Sequence, residues 1–90
     1  MLRKTIELDA EKMTGVEETH RYLAKELAFP DYYGKNLDAL YDCLTEFCGS
    51  AFIVINNSKT MAENLGDYSK KLTKVFLDAA SCSGMYVIFR

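Results

Sequence analysis

The chain has 90 residues and a formal net charge of −2 at pH 7, with 49% hydrophobic and 27% charged residues. This length allows one domain, predicted to span residues 1–90, which can bury a core without disulfides or a metal ion. No basic run with interleaved aromatic residues occurs, which argues against nucleic-acid binding, and no stretch approaches the roughly 20 apolar residues of a membrane-spanning helix.

The first third of the chain predicts a strand followed by a helix. Weak alternation of apolar residues favours a strand over residues 2–8. Thr14 and Glu17 have the spacing of a capping box, which predicts that Thr14 is the N-cap of the helix. The helix is expected to end before Pro30, because a proline pushes the preceding residue out of the helical region. Its inner stripe at helical spacing consists of Val16, His20, Leu23 and Leu27.

A second helix and a second strand are predicted in the middle of the chain. Asn36 is a favourable N-cap, and Gly49-Ser50 ends the helix. The short apolar run Ala51–Ile55 is typical of the central strand of a parallel sheet. The residues predicted to form the inner face of the helix are Leu37, Leu40, Leu44 and Phe47.

The last third of the chain predicts two more helices and a third strand. After a turn at residues 56–58, a short helical segment ends at Gly66, and Asp67 is the expected N-cap of the last helix. Met85–Phe89 is the expected last strand. The residues predicted to face inward from the last helix are Tyr68, Leu72, Val75, Phe76 and Ala79.

The order of elements is therefore β-α-α-β-α-α-β. Strands that are separated by helices pair in parallel through crossover connections. The predicted fold is a two-layer α/β domain, with a three-stranded parallel sheet and about four helices.

The cysteines indicate a reducing compartment. Cys43, Cys48 and Cys82 are odd in number and have no CxxC spacing, so a disulfide framework is not expected. No apolar segment follows the first charged residues, as it would in a signal peptide. The prediction is a cytoplasmic protein with free thiols.

The sequence lacks the residues that catalysis would need. Its only imidazole is His20, on the inner stripe of the first helix, where a hydrogen-bonded core histidine is the favoured interpretation. No cation adjoins Cys43 or Cys48 to lower the pKa of either thiol, so both are expected to be small hydrophobic residues or partly exposed thiols. No phosphate-binding loop, dinucleotide-binding motif or zinc-binding motif occurs. We therefore expect no enzyme activity, no cofactor and no metal.

A row of acidic residues on the second helix is the strongest functional signal. Asp38, Asp42 and Glu46 are four residues apart, a spacing at which like charges repel, and no Lys or Arg lies three or four residues from Asp42. Tyr41 and Thr45 flank the row. A solvated acidic face would explain it, as would Mg²⁺ or Ca²⁺ ligands, although one helix face supplies few converging oxygens. The tyrosines nearby, Tyr32, Tyr33 and Tyr41, favour a protein interface that fits a cationic cleft.

Residues 26–45, ELAFPDYYGKNLDALYDCLT, closely resemble the barstar family, and a weaker similarity extends over nearly the whole chain. Barstar-like proteins are intracellular inhibitors of secreted ribonucleases of the barnase type. The resemblance implies the fold predicted above and a cytoplasmic inhibitor that is monomeric when free. It also implies a 1:1 complex with a secreted, guanyl-preferring ribonuclease, whose cationic active-site cleft the second helix and the preceding loop block.

The resemblance also implies roles for individual residues. Asp42 resembles the central acid that occupies a phosphate position, and Asp38 a second acid that pairs with an arginine or with backbone donors. Tyr32 resembles an aromatic residue that stacks on a catalytic imidazole. Asp78 matches an acid on the last helix that also reaches the enzyme. The residues expected to shape the contact loop are Tyr33, Gly34 and Asn36.

The chain also departs from the family's best-known member. Tyr41 and Phe47 replace tryptophans, Lys35 replaces an acid and Glu46 replaces a glycine, while Asp78 is one methylene shorter than the expected glutamate. Two other functions are kept open: an immunity or antitoxin protein that binds a different cationic toxin, and a metal-dependent enzyme that uses the aspartates.

Overall fold

A three-stranded parallel sheet forms one layer of the protein. The computed structural model describes residues 4–90 and contains β1 (Thr5–Asp9), β2 (Phe52–Asn56) and β3 (Tyr86–Phe89). The central strand β2 pairs in parallel with both neighbours, and the strand order is β1-β2-β3. The predicted parallel sheet is confirmed. Residues 2 and 3 of the predicted first strand lie outside the described residues.

Four α-helices connect and cover the strands. They are α1 (Val16–Glu26), α2 (Leu37–Phe47), α3 (Ser58–Leu65) and α4 (Asp67–Cys82), and a short 3₁₀ turn at Ala10–Lys12 follows β1. Helices α1 and α2 lie between the first two strands in sequence, and α3 and α4 lie between the last two. This arrangement confirms the predicted order of elements and the α/β class.

The hydrophobic core lies between one face of the sheet and the helices. Leu8, Ile53 and Ile55 point into it from the strands and are fully buried or nearly so. The helices supply most of the other fully buried side chains. These are Leu23 of α1, Leu40 and Leu44 of α2, and Leu72, Phe76 and Ala79 of α4. Helices α2 and α4 pack against each other, so side chains of both contribute to one surface.

Two of the predicted helix caps are wrong. Gly15, rather than Thr14, is the N-cap of α1, and the Gly15 carbonyl accepts hydrogen bonds from both the amide and the hydroxyl of Thr19. Gly66 is the N-cap of α4, and Asp67 is its first helical residue. In both cases a glycine next to the polar residue takes the cap position without a side-chain bond. Gly66 has a φ of +58°, which glycine adopts without strain, whereas Gly15 is in an extended conformation open to any residue.

The ends of two predicted inner stripes are exposed. Val16 is 44% exposed at the first residue of α1, and Phe47 is 48% exposed at the last residue of α2. Both were expected in the core. In contrast, Cys43 and Cys48 are buried and belong to the core together with Leu44. The expectation that these two cysteines act as small hydrophobic residues is confirmed.

Candidate partner-binding site

Helix α2 presents its acidic row to solvent. Asp38, Asp42 and Glu46 are all exposed, and successive members are separated by about 6 Å along the helix axis. Within residues 4–90, none of the three belongs to an ion pair. Helix α2 contains no Lys or Arg, and Lys35, three residues before Asp38, forms no ion pair with it. No ion pair within the described part of the chain therefore relieves the repulsion along this row.

The start of α2 is capped, and its first turn carries the first acid of the row. Asn36 is the N-cap, as predicted, and its side-chain oxygen accepts a hydrogen bond of 2.8 Å from the Ala39 amide. Asp38 lies in the first turn, where the helix dipole favours a negative charge. Asp42 and Glu46 lie beyond that turn and gain little from the dipole. Local helix chemistry accounts for one of the three acids but not for the other two.

Helix α4 adds a fourth acid beside the row. Asp78 is exposed and forms an ion pair of 2.8 Å with Lys74, four residues earlier on the same helix. A hydrogen bond to Cys82 is the main cause that raises the pKa of the Tyr41 hydroxyl, and the charges of Asp78 and Asp42 raise it further. Tyr41 thus lies between the two helices, within electrostatic reach of an acid on each.

The loop before α2 carries one exposed and one buried tyrosine. Tyr32 is 79% exposed, whereas Tyr33 is only 6% exposed and packs its ring 5.0 Å from that of Phe29. The Tyr33 amide also donates a hydrogen bond to the carbonyl of Pro30. Tyr33 therefore anchors the loop, and Tyr32 projects from an anchored backbone. The family resemblance implied a stacking role for Tyr32 and a loop-shaping role for Tyr33, but the sequence did not specify the difference in their exposure.

The hydroxyl of Tyr33 is bound to the only histidine of the chain. His20 is fully buried, with Nδ1 2.6 Å from the Tyr33 hydroxyl and Nε2 2.7 Å from the Tyr68 hydroxyl. Burial lowers the pKa of His20 and raises that of Tyr33. A neutral imidazole has one N–H, so one hydroxyl donates to the ring and the other accepts from it. The prediction that His20 is a hydrogen-bonded core residue is confirmed, and the bond ties α1 and α4 to the contact loop.

The loop and the acidic row meet at a cleft of about 230 Å³, which we call the acidic cleft. Tyr32 and Gly34 of the loop line this cleft together with Asp42 and Glu46 of α2. Cys43 also borders it, and burial together with the neighbouring charges of Glu46 and Asp42 raises the pKa of its thiol. Such a thiol stays protonated near neutral pH and is a poor nucleophile. The cleft therefore offers negative charge and an aromatic edge rather than reactive groups.

The remaining predicted contact residues fall around this surface with different roles. The Thr45 hydroxyl donates to the carbonyls of Tyr41 and Asp42, at 3.0 Å each. Its hydrogen is therefore bonded within the helix and is not free to bond to a partner. Gly34 approaches α2 closely, because an added Cβ would lie 3.4 Å from the Cβ of Ala39. Cys82 borders the surface through Tyr41 and was not predicted there, since its proximity depends on how α4 packs on α2.

Three further findings concern metal ions, membranes and disulfides. Within residues 4–90, no three His, Cys, Asp or Glu side chains come together as a group that could hold a metal ion. In the same span, no helix has the length and apolar character that crossing a membrane requires. All three cysteines are free thiols.

The family model described as "Barstar (barnase inhibitor)" matches residues 3–87. The chain belongs to the barstar family. It is also 38% identical over 79 residues to a Bacillus subtilis (strain 168) protein named "Putative ribonuclease inhibitor YrdF", and the match covers 87% of this chain and 86% of that protein. The family expected from residues 26–45 is confirmed over nearly the whole chain.

Proposed function

We propose that this barstar-family protein inhibits a ribonuclease by blocking its active-site cleft with the acidic row of α2 and the loop before it. The observation that carries the proposal is the set of exposed acids without ion pairs, Asp38, Asp42 and Glu46, beside the exposed ring of Tyr32. The barstar family is described as barnase inhibitors, and the related protein is named a ribonuclease inhibitor. No bond is made or broken, so the protein acts as an inhibitor rather than an enzyme.

Electrostatics supports this proposal. A ribonuclease cleft must be cationic to hold RNA phosphates, and carboxylates can occupy the same positions. Complementary charge speeds the encounter of two proteins and fixes their register. Asp42 borders the acidic cleft of this chain, and we assign it the main phosphate-like role. Asp38 and Asp78 would pair with cations at the edges, although Asp78 must first share or release Lys74.

The arrangement of the contact loop supports a largely preformed interface. Tyr32 has a wide exposed surface for stacking on a partner's ring, and Tyr33 holds the loop through the buried His20. Aromatic side chains of this kind are frequent anchors of protein interfaces. Asn36 and Gly34 keep the loop close to α2, and the side-chain amide of Asn36 donates a hydrogen bond of 3.3 Å to the Gly34 carbonyl. Little ordering would therefore be needed on binding, which favours affinity.

The finer features of the proposed partner follow from the family. We propose a secreted, guanyl-preferring enzyme of the barnase type, bound in a 1:1 complex by a protein that is monomeric when free. The inhibitor would act in the cytoplasm, before the enzyme is exported. Three free thiols, two of them buried, suit a reducing compartment.

A titration with a barnase-type ribonuclease tests the proposal. RNA cleavage is followed while the protein is added, once at low and once at high salt. We expect inhibition that is complete at one inhibitor per enzyme, with an association rate that falls as salt screens the charges. Absence of inhibition at either salt concentration would contradict a barnase-type target. It would favour a different cationic partner, such as another toxin.

A further inference from the structure

A second groove lies on the other side of the contact loop and has the opposite charge. It has a volume of about 340 Å³ and runs between α1 and the loop that precedes α2. Three cations border it, Arg21 and Lys25 from α1 and Lys35 from the loop, with Asp31 as the only acid. We call this feature the basic groove. Its charge is notable in a chain whose net charge is −2.

The cations of the basic groove are only partly compensated. Arg21 pairs with Glu17 on its own helix, but within residues 4–90 neither Lys25 nor Lys35 belongs to an ion pair. Lys25 lies in the last turn of α1, where the helix dipole favours a positive charge. That explanation does not apply to Lys35, which belongs to no helix.

The backbone of Lys35 is in an unusual conformation. Its φ is +55°, in the left-handed region that favours glycine or asparagine and costs other residues on the order of 1 kcal/mol. Within residues 4–90, no ion pair of Lys35 offsets this cost. Non-glycine residues in this region are concentrated at binding sites. The side chain borders the basic groove, which is where a compensating interaction would form.

The floor of the basic groove identifies the kind of ligand that fits. Phe29, Pro30 and Tyr33 line it with apolar surface, and Phe29 and Tyr33 are only 8% and 6% exposed. Single-stranded RNA needs exposed rings on which its bases stack, and buried rings do not supply them. An acidic peptide that also carries an apolar side chain uses both the cations and the floor. A peptide segment is therefore favoured over a nucleic acid.

We propose that the basic groove binds an acidic peptide segment with an apolar side chain, and that the ribonuclease carries such a segment beside its cationic cleft. The second half of this inference rests on the proposed function. Tyr33 borders both the basic groove and the acidic cleft, so the two lie next to the same residue of the loop. A partner seated on Tyr32 would reach both. Its surface would then pair acid with base on one side of the loop and base with acid on the other.

The groove is tested with the full chain and the peptide acetyl-Glu-Glu-Leu-Glu-Glu-amide, followed by chemical-shift changes in ¹H–¹⁵N spectra. We expect saturable shifts at the amides of Ala24, Lys25 and Lys35. A double variant, Lys25→Gln with Lys35→Asn, should weaken peptide binding about tenfold. Asparagine is chosen because it tolerates the left-handed backbone. The matched control, Lys70→Gln with Lys71→Gln on the exposed side of α4, should change binding less than about twofold.

Several outcomes would overturn the inference. Peptide shifts that do not saturate, shifts located away from the groove, or equal loss of binding in both double variants would each contradict a specific site. Equal or stronger groove shifts with a pentauridylate RNA or with inorganic phosphate would show a general anion site instead.

The two proposals fail separately. Asp42→Ala should leave peptide binding unchanged, because Asp42 borders only the acidic cleft among these two features. Peptide binding without ribonuclease inhibition would contradict the proposed function, while the proposal that the basic groove binds an acidic peptide would stand. Inhibition by the Lys25→Gln, Lys35→Asn variant as tight as that by the natural sequence would show that the inhibited enzyme supplies no acidic segment.

Discussion

Acidification should destabilise the protein through His20. The buried ring has a lowered pKa in the folded state, while the unfolded chain should titrate near the ordinary value of about 6.5. Below that value the unfolded state binds more protons than the folded state, so the free energy of unfolding falls as the pH falls. The slope is at most about 1.4 kcal/mol per pH unit. Between about pH 7.5 and pH 5.5 stability should therefore fall, by no more than about 1.4 kcal/mol.

Urea unfolding followed by far-ultraviolet circular dichroism measures this loss, since the chain has no tryptophan for fluorescence. His20 is the only histidine of the chain. Carboxylates contribute little at about pH 5.5 and above, because their ordinary pKa values are about 4. His20→Gln keeps a donor and an acceptor but does not titrate, and it should flatten the dependence. Tyr68→Phe provides a second check, because removing the hydroxyl near Nε2 should cost about 1–3 kcal/mol.

Equal stability at both pH values would refute this reasoning. It would mean that folded His20 is protonated as readily as in the unfolded chain, with both ring nitrogens donating to tyrosine oxygens. An unchanged stability of Tyr68→Phe would separately show that this hydroxyl is not needed to satisfy the buried ring.

Two further substitutions test the structure around the site. Asn36→Ala removes the side-chain bond to the Ala39 amide and should lower the free energy of unfolding by about 1 kcal/mol; a loss below about 0.3 kcal/mol in urea unfolding would contradict its role as a cap. Gly84→Ala should cost at least about 1 kcal/mol, because φ is +65° and the new Cβ would lie 2.9 Å from the Gly49 carbonyl oxygen. A thermal midpoint equal to that of the natural sequence would show that this turn relaxes freely.

The parts of the fold that depend on neighbours in sequence could be predicted. Asn36 was identified as a cap because its bond partner is three residues away, within the same helical turn. The central strand was evident from a short apolar run. The order of elements then left few arrangements of three parallel strands. Caps at Gly15 and Gly66 were missed, since the competing polar residue stands one position away in each case.

The parts of the site that depend on packing could not be predicted. The acidic row was visible because all its members lie on one helix. The bonds of His20 join residues 13 and 48 positions apart, and no local pattern specifies such partners. Tyr32 and Tyr33 differ only in which way the loop turns their side chains. The approach of Tyr41 to Cys82 likewise follows from the packing of α2 on α4.

The distribution of charge suggests how the protein could choose its partner. Glu46 adds a carboxylate to the acidic cleft, and Lys35 adds a cation to the basic groove across the loop. Each would repel a partner with the wrong charge at that point, and such repulsion is a common source of specificity. Ribonucleases of one family could therefore differ widely in their affinity for this chain while sharing the same cleft.

The most direct test of the central claim compares two variants that each lose one exposed acid. Inhibition constants against a barnase-type ribonuclease are measured for the natural sequence, for Asp42→Ala, and for Glu63→Ala on α3 as the control. Removing one partner of a charge pair buried in the complex leaves the other uncompensated, so Asp42→Ala should weaken inhibition at least about a hundredfold. Glu63→Ala should change it less than about twofold. Equal inhibition constants for the two variants would contradict the assignment of the acidic row of α2 as the inhibitory surface.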